Sequence, residues 1–98
     1  MRVHWKYEPR NEFEVIALFV CLCDELGYKI KKIRADFPDA ILEKDGIEIE
    51  TEFEYVSSNY EAHCHPVHEK YLCICWRKDK SIKGLNIFSI EKYLRNKS

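Results

Sequence analysis

Acidic side chains are concentrated on one face of a predicted β-hairpin in the middle of the chain. Two alternating runs meet at Asp45-Gly46, a dipeptide that supplies the positive φ values of a tight two-residue turn. Counting back from that turn places Asp39 opposite Glu52. Because side chains alternate between the faces of a strand, one face carries Asp39, Glu50, Glu52 and Glu54. The core face then carries Ala40, Leu42, Ile47, Ile49, Thr51, Phe53 and Tyr55.

Three of these acids, Asp39, Glu52 and Glu54, can converge on one point, since opposed Cβ atoms are about 5 Å apart and diagonal ones about 7 Å. Like charges so placed repel each other, and a divalent cation removes the repulsion. Mg²⁺ and Mn²⁺ prefer carboxylate oxygens and leave positions for water and phosphate, so the pattern predicts such a site. The alternative is a row of acids that keeps one face soluble. It accounts for Glu48 and Glu50, but not for Asp39, which lies opposite Glu52 directly after a proline.

Histidines and cysteines form a second group of potential ligands within thirteen residues, namely His63, Cys64, His65, His68, Cys73 and Cys75. Nitrogen and sulfur ligands of this kind suit zinc. No pair has the C-x₂-C spacing of structural zinc sites, so a zinc-stabilised protein is the lesser alternative. His63 and His65 are better candidates for contact with a phosphate or an adjacent metal. His68 is expected to be an ordinary surface residue.

Helical and strand patterns alternate along the chain. Asn11 and Glu14 have capping-box spacing, and the apolar helix that follows is predicted to end at Gly27. Its apolar surface covers more than one face, so we expect it to be largely buried or to form a dimer interface. Glu12 and Glu14 are expected as first-turn residues favoured by the helix dipole, with a catalytic role as the open alternative. Further elements, predicted at 3–7, 28–34, 37–44, 47–55, 58–65, 71–76, 85–88 and 90–95, indicate an α/β fold with a mixed sheet.

The residues that begin the second helix are candidates for phosphate contact. Ser58 and Glu61 have capping-box spacing, which predicts a short helix that stops before Pro66. Ser57, Ser58 and Asn59 either cap this helix or hydrogen-bond a phosphate, because free amides at a helix N-terminus attract anions.

Composition predicts one domain over residues 1–98, since 46% of the residues are hydrophobic and only three are glycine and three proline. The net charge of −1 provides no overall positive field, so nucleic acid would have to bind local patches such as Lys29, Lys31 and Lys32, or the 77–83 loop. The sequence shows no secretory signal and no membrane-length apolar run, which predicts a cytoplasmic protein with reduced thiols and no membrane partner. Four cysteines are expected in the core: Cys21, Cys23, Cys73 and Cys75.

The order of these features resembles the PD-(D/E)XK nuclease superfamily, which includes restriction endonucleases and Holliday-junction resolvases. A group of small proteins within or near that superfamily resembles the chain more closely over about residues 11 to 76. The motifs that carry this resemblance are Asn11-Glu12, Leu26-Gly27, Phe37-Pro38-Asp39, Glu52-Phe53-Glu54-Tyr55, Ser58-Asn59-Tyr60, His63-x-His65 and Cys75-Trp76. The resemblance implies a restriction-endonuclease-like three-layer core, with a mixed central sheet flanked by helices.

By this resemblance, Asp39 and Glu52 hold a divalent metal, Mg²⁺ or Mn²⁺, and Glu54 stands where the superfamily usually has its lysine. Glu54 is then a third ligand or orients the attacking water. Tyr71 stands where Asp is expected. The implied activity is hydrolysis of phosphodiester bonds in DNA by a homodimer, with Lys29, Lys31 and Lys32 guiding the backbone. The missing lysine keeps open a catalytically silent module of the same fold that binds nucleic acid or a protein partner.

Overall fold

A five-stranded mixed sheet carries helices on both faces. The computed structural model describes residues 8–97, so the element predicted at 3–7 lies outside the described residues. The observed elements are α1 (Glu12–Leu22), β1 (Lys29–Ile33), β2 (Ala40–Lys44), β3 (Ile47–Val56), α2 (Ser58–Ala62), β4 (Tyr71–Arg77), β5 (Asn86–Ser89) and α3 (Ile90–Lys97). Their order and the mixed sheet confirm the predicted α/β class. The restriction-endonuclease-like identity of this core stays a prediction.

The central hairpin has the predicted register. Asp45 and Gly46 both have positive φ, and antiparallel pairs run from this turn to Ala40, which lies opposite Thr51. β3 continues past that pair to Val56 and is paired with β4 in parallel on its other side. Strands β4 and β5 are also parallel, so the sheet changes from antiparallel to parallel at β3. The segment of β3 beyond β2 is the part that carries the predicted site.

Apolar side chains cover both faces of the sheet. The larger core, beneath α1 and α3, contains Val15, Leu18, Phe19, Leu22, Ala40, Leu42, Phe53, Leu72, Ile74, Trp76 and Ile90. A smaller core beneath α2 contains Tyr60, Cys73, Cys75 and Ile82. Ile47, assigned to the core face from its parity, is instead 66% exposed because it adjoins the hairpin turn. Since both faces of β3 are covered farther along, its acidic face there is buried rather than wet.

The loop after β4 holds the start of α2. Asp79 accepts hydrogen bonds from the Ser58 amide at 2.9 Å, the Ser58 hydroxyl at 2.6 Å and the Ser57 hydroxyl at 3.0 Å. These bonds, those of Ser58 foremost, hold the pKa of Asp79 below its ordinary value. The carboxylate therefore takes the position of a helix cap, although it comes from a distant loop.

Helix α1 is shorter and more exposed than predicted. It begins at the expected cap, where the Asn11 side chain accepts the Glu14 amide at 2.9 Å, but it ends at Leu22 and not at Gly27. A turn over residues 23–27 follows it. Its outer side leaves Phe13 77% exposed, so the helix is not largely buried. Within the described residues, each helix is too short or too polar to cross a membrane.

All five cysteines are free thiols. Cys73 and Cys75 are buried as predicted, and Cys23 is half-buried against the larger core. The prediction for Cys21 is wrong, because its position on the outer side of α1 exposes it to solvent.

Candidate metal centre

Asp39 and Glu52 face each other across the start of β2, as the hairpin register predicts. The Asp39 amide donates to Glu52 Oε1 at 3.0 Å, and Asp39 Oδ2 accepts the Phe53 amide at 2.9 Å. Each carboxylate is thereby oriented by the backbone of the opposite strand. The second Glu52 oxygen, Oε2, lies 3.0 Å from His65 Nε2.

Glu54 lies beneath two histidines that follow α2. Its Oε2 atom is 3.0 Å from His63 Nδ1 and 3.5 Å from His65 Nε2. One ligand atom from each of these three residues lies within 4.8 Å of the others, a grouping that could hold a metal ion. Glu54 is fully buried, and its Oε1 atom has no hydrogen-bond donor among the described residues. A carboxylate oxygen buried in this way is costly unless it gains a partner.

The end of α2 brings the two histidines together. The helix closes with a Schellman motif, in which Cys64 takes the left-handed position with φ of 58°. The bonds that define the motif run from the His63, Cys64 and His65 amides to the Asn59, Glu61 and Tyr60 carbonyls, at 2.9, 2.9 and 3.3 Å. This reversal of the backbone lets His63 and His65 reach the same carboxylate.

Aromatic rings hold His65 in place. Its ring stacks on Phe37 with centroids 4.7 Å apart and meets the edge of Tyr60 at 5.2 Å. Tyr60 is fully buried, and its hydroxyl donates to the Pro66 carbonyl at 2.5 Å. His65 is thus positioned by packing, whereas the side chain of His63 is 50% exposed.

Glu12 joins the site from the first turn of α1. Its carboxyl group lies within hydrogen-bonding reach of Glu54, a bond that two carboxyl groups form only when one carries a proton. The sequence pattern favoured a helix-dipole role for Glu12 and left a catalytic role open. Its signals were an acidic residue at the start of a helix and the Asn11-Glu12 motif of the resemblance, but the direction of the side chain depends on tertiary packing.

Burial and neighbouring charges shift the pKa values of the acids and of His65 at this site. The pKa of Glu52 is raised to about 8 by burial and by the Asp39 charge. Burial raises the pKa of Glu54 to about 7, against the opposing contact with His63. Burial, with Asp39, also raises the pKa of Glu12. Burial lowers the pKa of His65. In the metal-free protein, the arrangement therefore disfavours full ionisation of its acids.

The remaining predicted site residues lie outside this cluster. Ser57 is buried, and the hydroxyls of Ser57 and Ser58 bond Asp79, while Asn59 is half-buried on α2. Lys29, Lys31 and Lys32 are exposed on the edge strand β1. The Lys31 ammonium group pairs with Glu43 at 3.5 Å, near the turn and away from Asp39. Their predicted contacts with nucleic acid stay predictions.

The cysteines of the zinc alternative are not grouped with the histidines. Cys73 and Cys75 lie on β4 beside Glu52 and Glu54, whereas Cys64 is exposed. His68 is exposed as expected, and its Nδ1 atom accepts the Lys70 amide at 3.0 Å.

Comparisons of the chain with protein-family models, curated proteins and solved structures found no match. The superfamily resemblance therefore stays a prediction, and the argument for function depends on the geometry of the centre.

The first prediction concerns the pH dependence of the metal-free protein. Because the pKa of Glu52 is raised on folding, the native state holds a proton that the unfolded state releases. Its contribution to stability is complete below the unfolded pKa and is lost as pH rises toward 8. The groups that face it are Glu12, Asp39, Glu54 and His65. We expect the free energy of unfolding to fall between pH 5 and 8, measured by denaturant titration with chelator present.

Glu52→Gln should flatten this pH profile, because the amide carries no titrating proton and its oxygen still accepts the Asp39 amide. Glu50→Gln is the matched control, since Glu50 is half-exposed two residues earlier on the same strand. A pH profile that Glu52→Gln leaves unchanged would contradict the assignment of the pH dependence to Glu52.

The second prediction concerns the left-handed residue between the histidines. Glycine adopts this conformation freely, whereas a β-branched residue is strained there. We expect Cys64→Gly to keep or raise the free energy of unfolding by up to about 1 kcal/mol, and Cys64→Val to lower it by about as much. Thermal unfolding of both variants is the measurement. Equal stability of the two would show that Cys64 does not hold the turn.

Proposed function

We propose that this protein is a divalent-metal-dependent nuclease that hydrolyses phosphodiester bonds in DNA. The observation that carries the proposal is the group of Glu54, His63 and His65, whose ligand atoms lie within 4.8 Å of one another, with the paired Asp39 and Glu52 beside it. Glu12 adds a further carboxyl group from α1. Such a concentration of acids repels itself and repels a phosphate, unless a cation lies among them.

The residues fit a divalent ion. Asp39 and Glu52 each accept a backbone amide with one oxygen, which fixes the direction of the other. Glu54 offers a buried oxygen that no donor among the described residues meets. Carboxylate oxygens arranged in this way are ligands for Mg²⁺ or Mn²⁺.

Phosphodiester hydrolysis assigns a distinct task to each group. Asp39 and Glu52 would hold a divalent ion in fixed register with the sheet. Such an ion would polarise the phosphate, lower the pKa of the attacking water and neutralise charge on the leaving oxygen. Glu54 is a third ligand or orients the water, in the place where the resembled superfamily has a lysine. His63 is half-exposed at the surface of the centre, above the buried Glu54.

The DNA backbone would approach along local basic patches, since the net charge is −1. Lys29, Lys31 and Lys32 on β1 offer one exposed patch. The 77–83 loop offers another beside the start of α2, although its Lys80 pairs with Glu61. A homodimer would present two centres to the two strands of a duplex. The free thiols suit action in the reducing cytoplasm.

A catalytically silent module that binds nucleic acid or a protein partner is the second candidate. The observation that favours it is Glu54 itself, because an acid at the lysine position adds negative charge where a phosphate must bind. This candidate requires no bound metal.

The third prediction is cleavage of labelled DNA by purified protein with Mg²⁺ or Mn²⁺. The panel contains linear, flapped and four-way DNA, with matching RNA to test the substrate class. Asp39→Asn and Glu52→Gln should each reduce the rate at least about 100-fold, the scale on which electrostatic groups contribute to catalysis. Glu48→Gln is the control, because Glu48 is exposed near the turn of the same hairpin.

Cleavage that only the two site variants lose would support the nuclease. Failure to cleave any substrate with either ion would contradict it. Cleavage that survives both variants would also contradict it, since the activity would then lie elsewhere or in a contaminant.

A further inference from the structure

We propose that Glu54, His63 and His65 select a first-row transition-metal ion, Mn²⁺, Co²⁺ or Zn²⁺, in preference to Mg²⁺. The inference deepens the proposed function by naming the class of ion, and it depends on that function only for the role of the ion in catalysis. Binding itself is measured without any substrate.

The chemistry of the ligand atoms is the first argument. Mg²⁺ is a hard ion that prefers oxygen and gives up its water reluctantly. Imidazole nitrogen suits zinc and other first-row transition metals, whose affinities rise through the series from Mn²⁺ toward Cu²⁺. A centre made only for Mg²⁺ gains little from two imidazoles aimed at one carboxylate. Here both His63 Nδ1 and His65 Nε2 approach the same oxygen, Glu54 Oε2.

The spacing of the ligand atoms is the second argument. Two atoms each about 2.1 Å from a metal are separated by about 3.0 Å at a right angle and about 3.4 Å at the tetrahedral angle. The separations of Glu54 Oε2 from His63 Nδ1 and His65 Nε2 are 3.0 and 3.5 Å. Both distances therefore match those of neighbouring ligands on one ion. Glu52 Oε2 lies beside this group, 3.0 Å from His65 Nε2.

The burial of Glu54 is the third and independent argument. Its side chain is 0% exposed, and Oε1 has no permanent donor among the described residues. The adjacent Glu12 carboxyl group can donate to Glu54 only when it carries a proton, and it brings no positive charge. A neutral imidazole offers only one N–H, so the histidines alone compensate the carboxylate incompletely. A cation bound beside it supplies the missing charge.

His65 is held in position before any ion binds, because its ring stacks on Phe37 and meets the edge of Tyr60. The backbone amide of His63 bonds the Asn59 carbonyl, while its half-exposed side chain contacts Glu54. A ligand fixed as His65 is loses little freedom on binding, which strengthens affinity.

The fourth prediction is a metal titration of the full chain after removal of metal by a chelator. Cobalt(II) is the probe, because its visible absorption changes with the geometry and ligands of the bound ion, and Mg²⁺ is added in competition. We expect Co²⁺ to bind at least about 100-fold more tightly than Mg²⁺, as the order of affinities for imidazole sites implies. His63→Ala and His65→Gln should each weaken Co²⁺ binding at least about tenfold, with loss of the absorption bands.

His68→Ala is the matched control, since this exposed histidine lies outside the cluster. His65 packs in a core, so its variant is checked for folding by circular dichroism, while the half-exposed His63 gives a variant that should fold normally. Equal affinity for Mg²⁺ and Co²⁺ would overturn the inference. Co²⁺ binding that both histidine variants retain would also overturn it.

The result of the metal titration can be distinguished from that of the nuclease assay. Cleavage by a protein that binds Co²⁺ no more tightly than Mg²⁺ would preserve the nuclease and overturn this inference. Histidine-dependent Co²⁺ binding by a protein that cleaves nothing would support this inference and contradict the nuclease.

Discussion

Mutual repulsion among buried acids is the constraint on which the rest of the centre depends. The Glu52 carboxylate accepts the Asp39 amide, and the Asp39 carboxylate accepts the Phe53 amide on β3. These two bonds bring the charges of Asp39 and Glu52 together. Glu54 lies two residues farther along β3, where both faces of the sheet are covered. The fold therefore stabilises a geometry that the charges alone oppose. Folded proteins retain such an arrangement at functional sites more often than elsewhere, because an ordinary core has no use for it.

The strands and helices around the acids bury them and direct the two histidines toward them. The parallel pairing of β3 with β4 buries Glu52 and Glu54 beside Cys73 and Cys75. Helix α2 is only five residues long, yet it closes over them because Asp79 holds its start and a left-handed residue ends it. The same reversal directs the two histidines onto Glu54. A short helix fixed at both ends thus converts a set of acids into a mixed set of oxygen and nitrogen ligands.

Local sequence signals were sufficient where chain neighbours determine the structure. Asp45-Gly46 specified the turn, the turn specified the register, and the register placed Asp39 opposite Glu52. Local signals were insufficient where segments distant in sequence meet in the fold. Alternation marked the acidic face of β3 but did not show that α2 covers it. Glu12 approaches Glu54 only because of the way α1 packs on the sheet. The convergence of the histidines needs a left-handed residue at Cys64. Glycine more often takes such a position, so the sequence contained no residue that predicted this turn.

The central claim is that Glu54 and the two histidines above it bind one divalent ion. Anomalous diffraction from crystals soaked in Mn²⁺ tests this claim most directly. The account predicts a peak about 2.0–2.3 Å from Glu54 Oε2 and from at least one of the two histidine nitrogens. Peaks confined to exposed acids such as Glu43 and Glu48 near the hairpin turn, with none at Glu54, would contradict it.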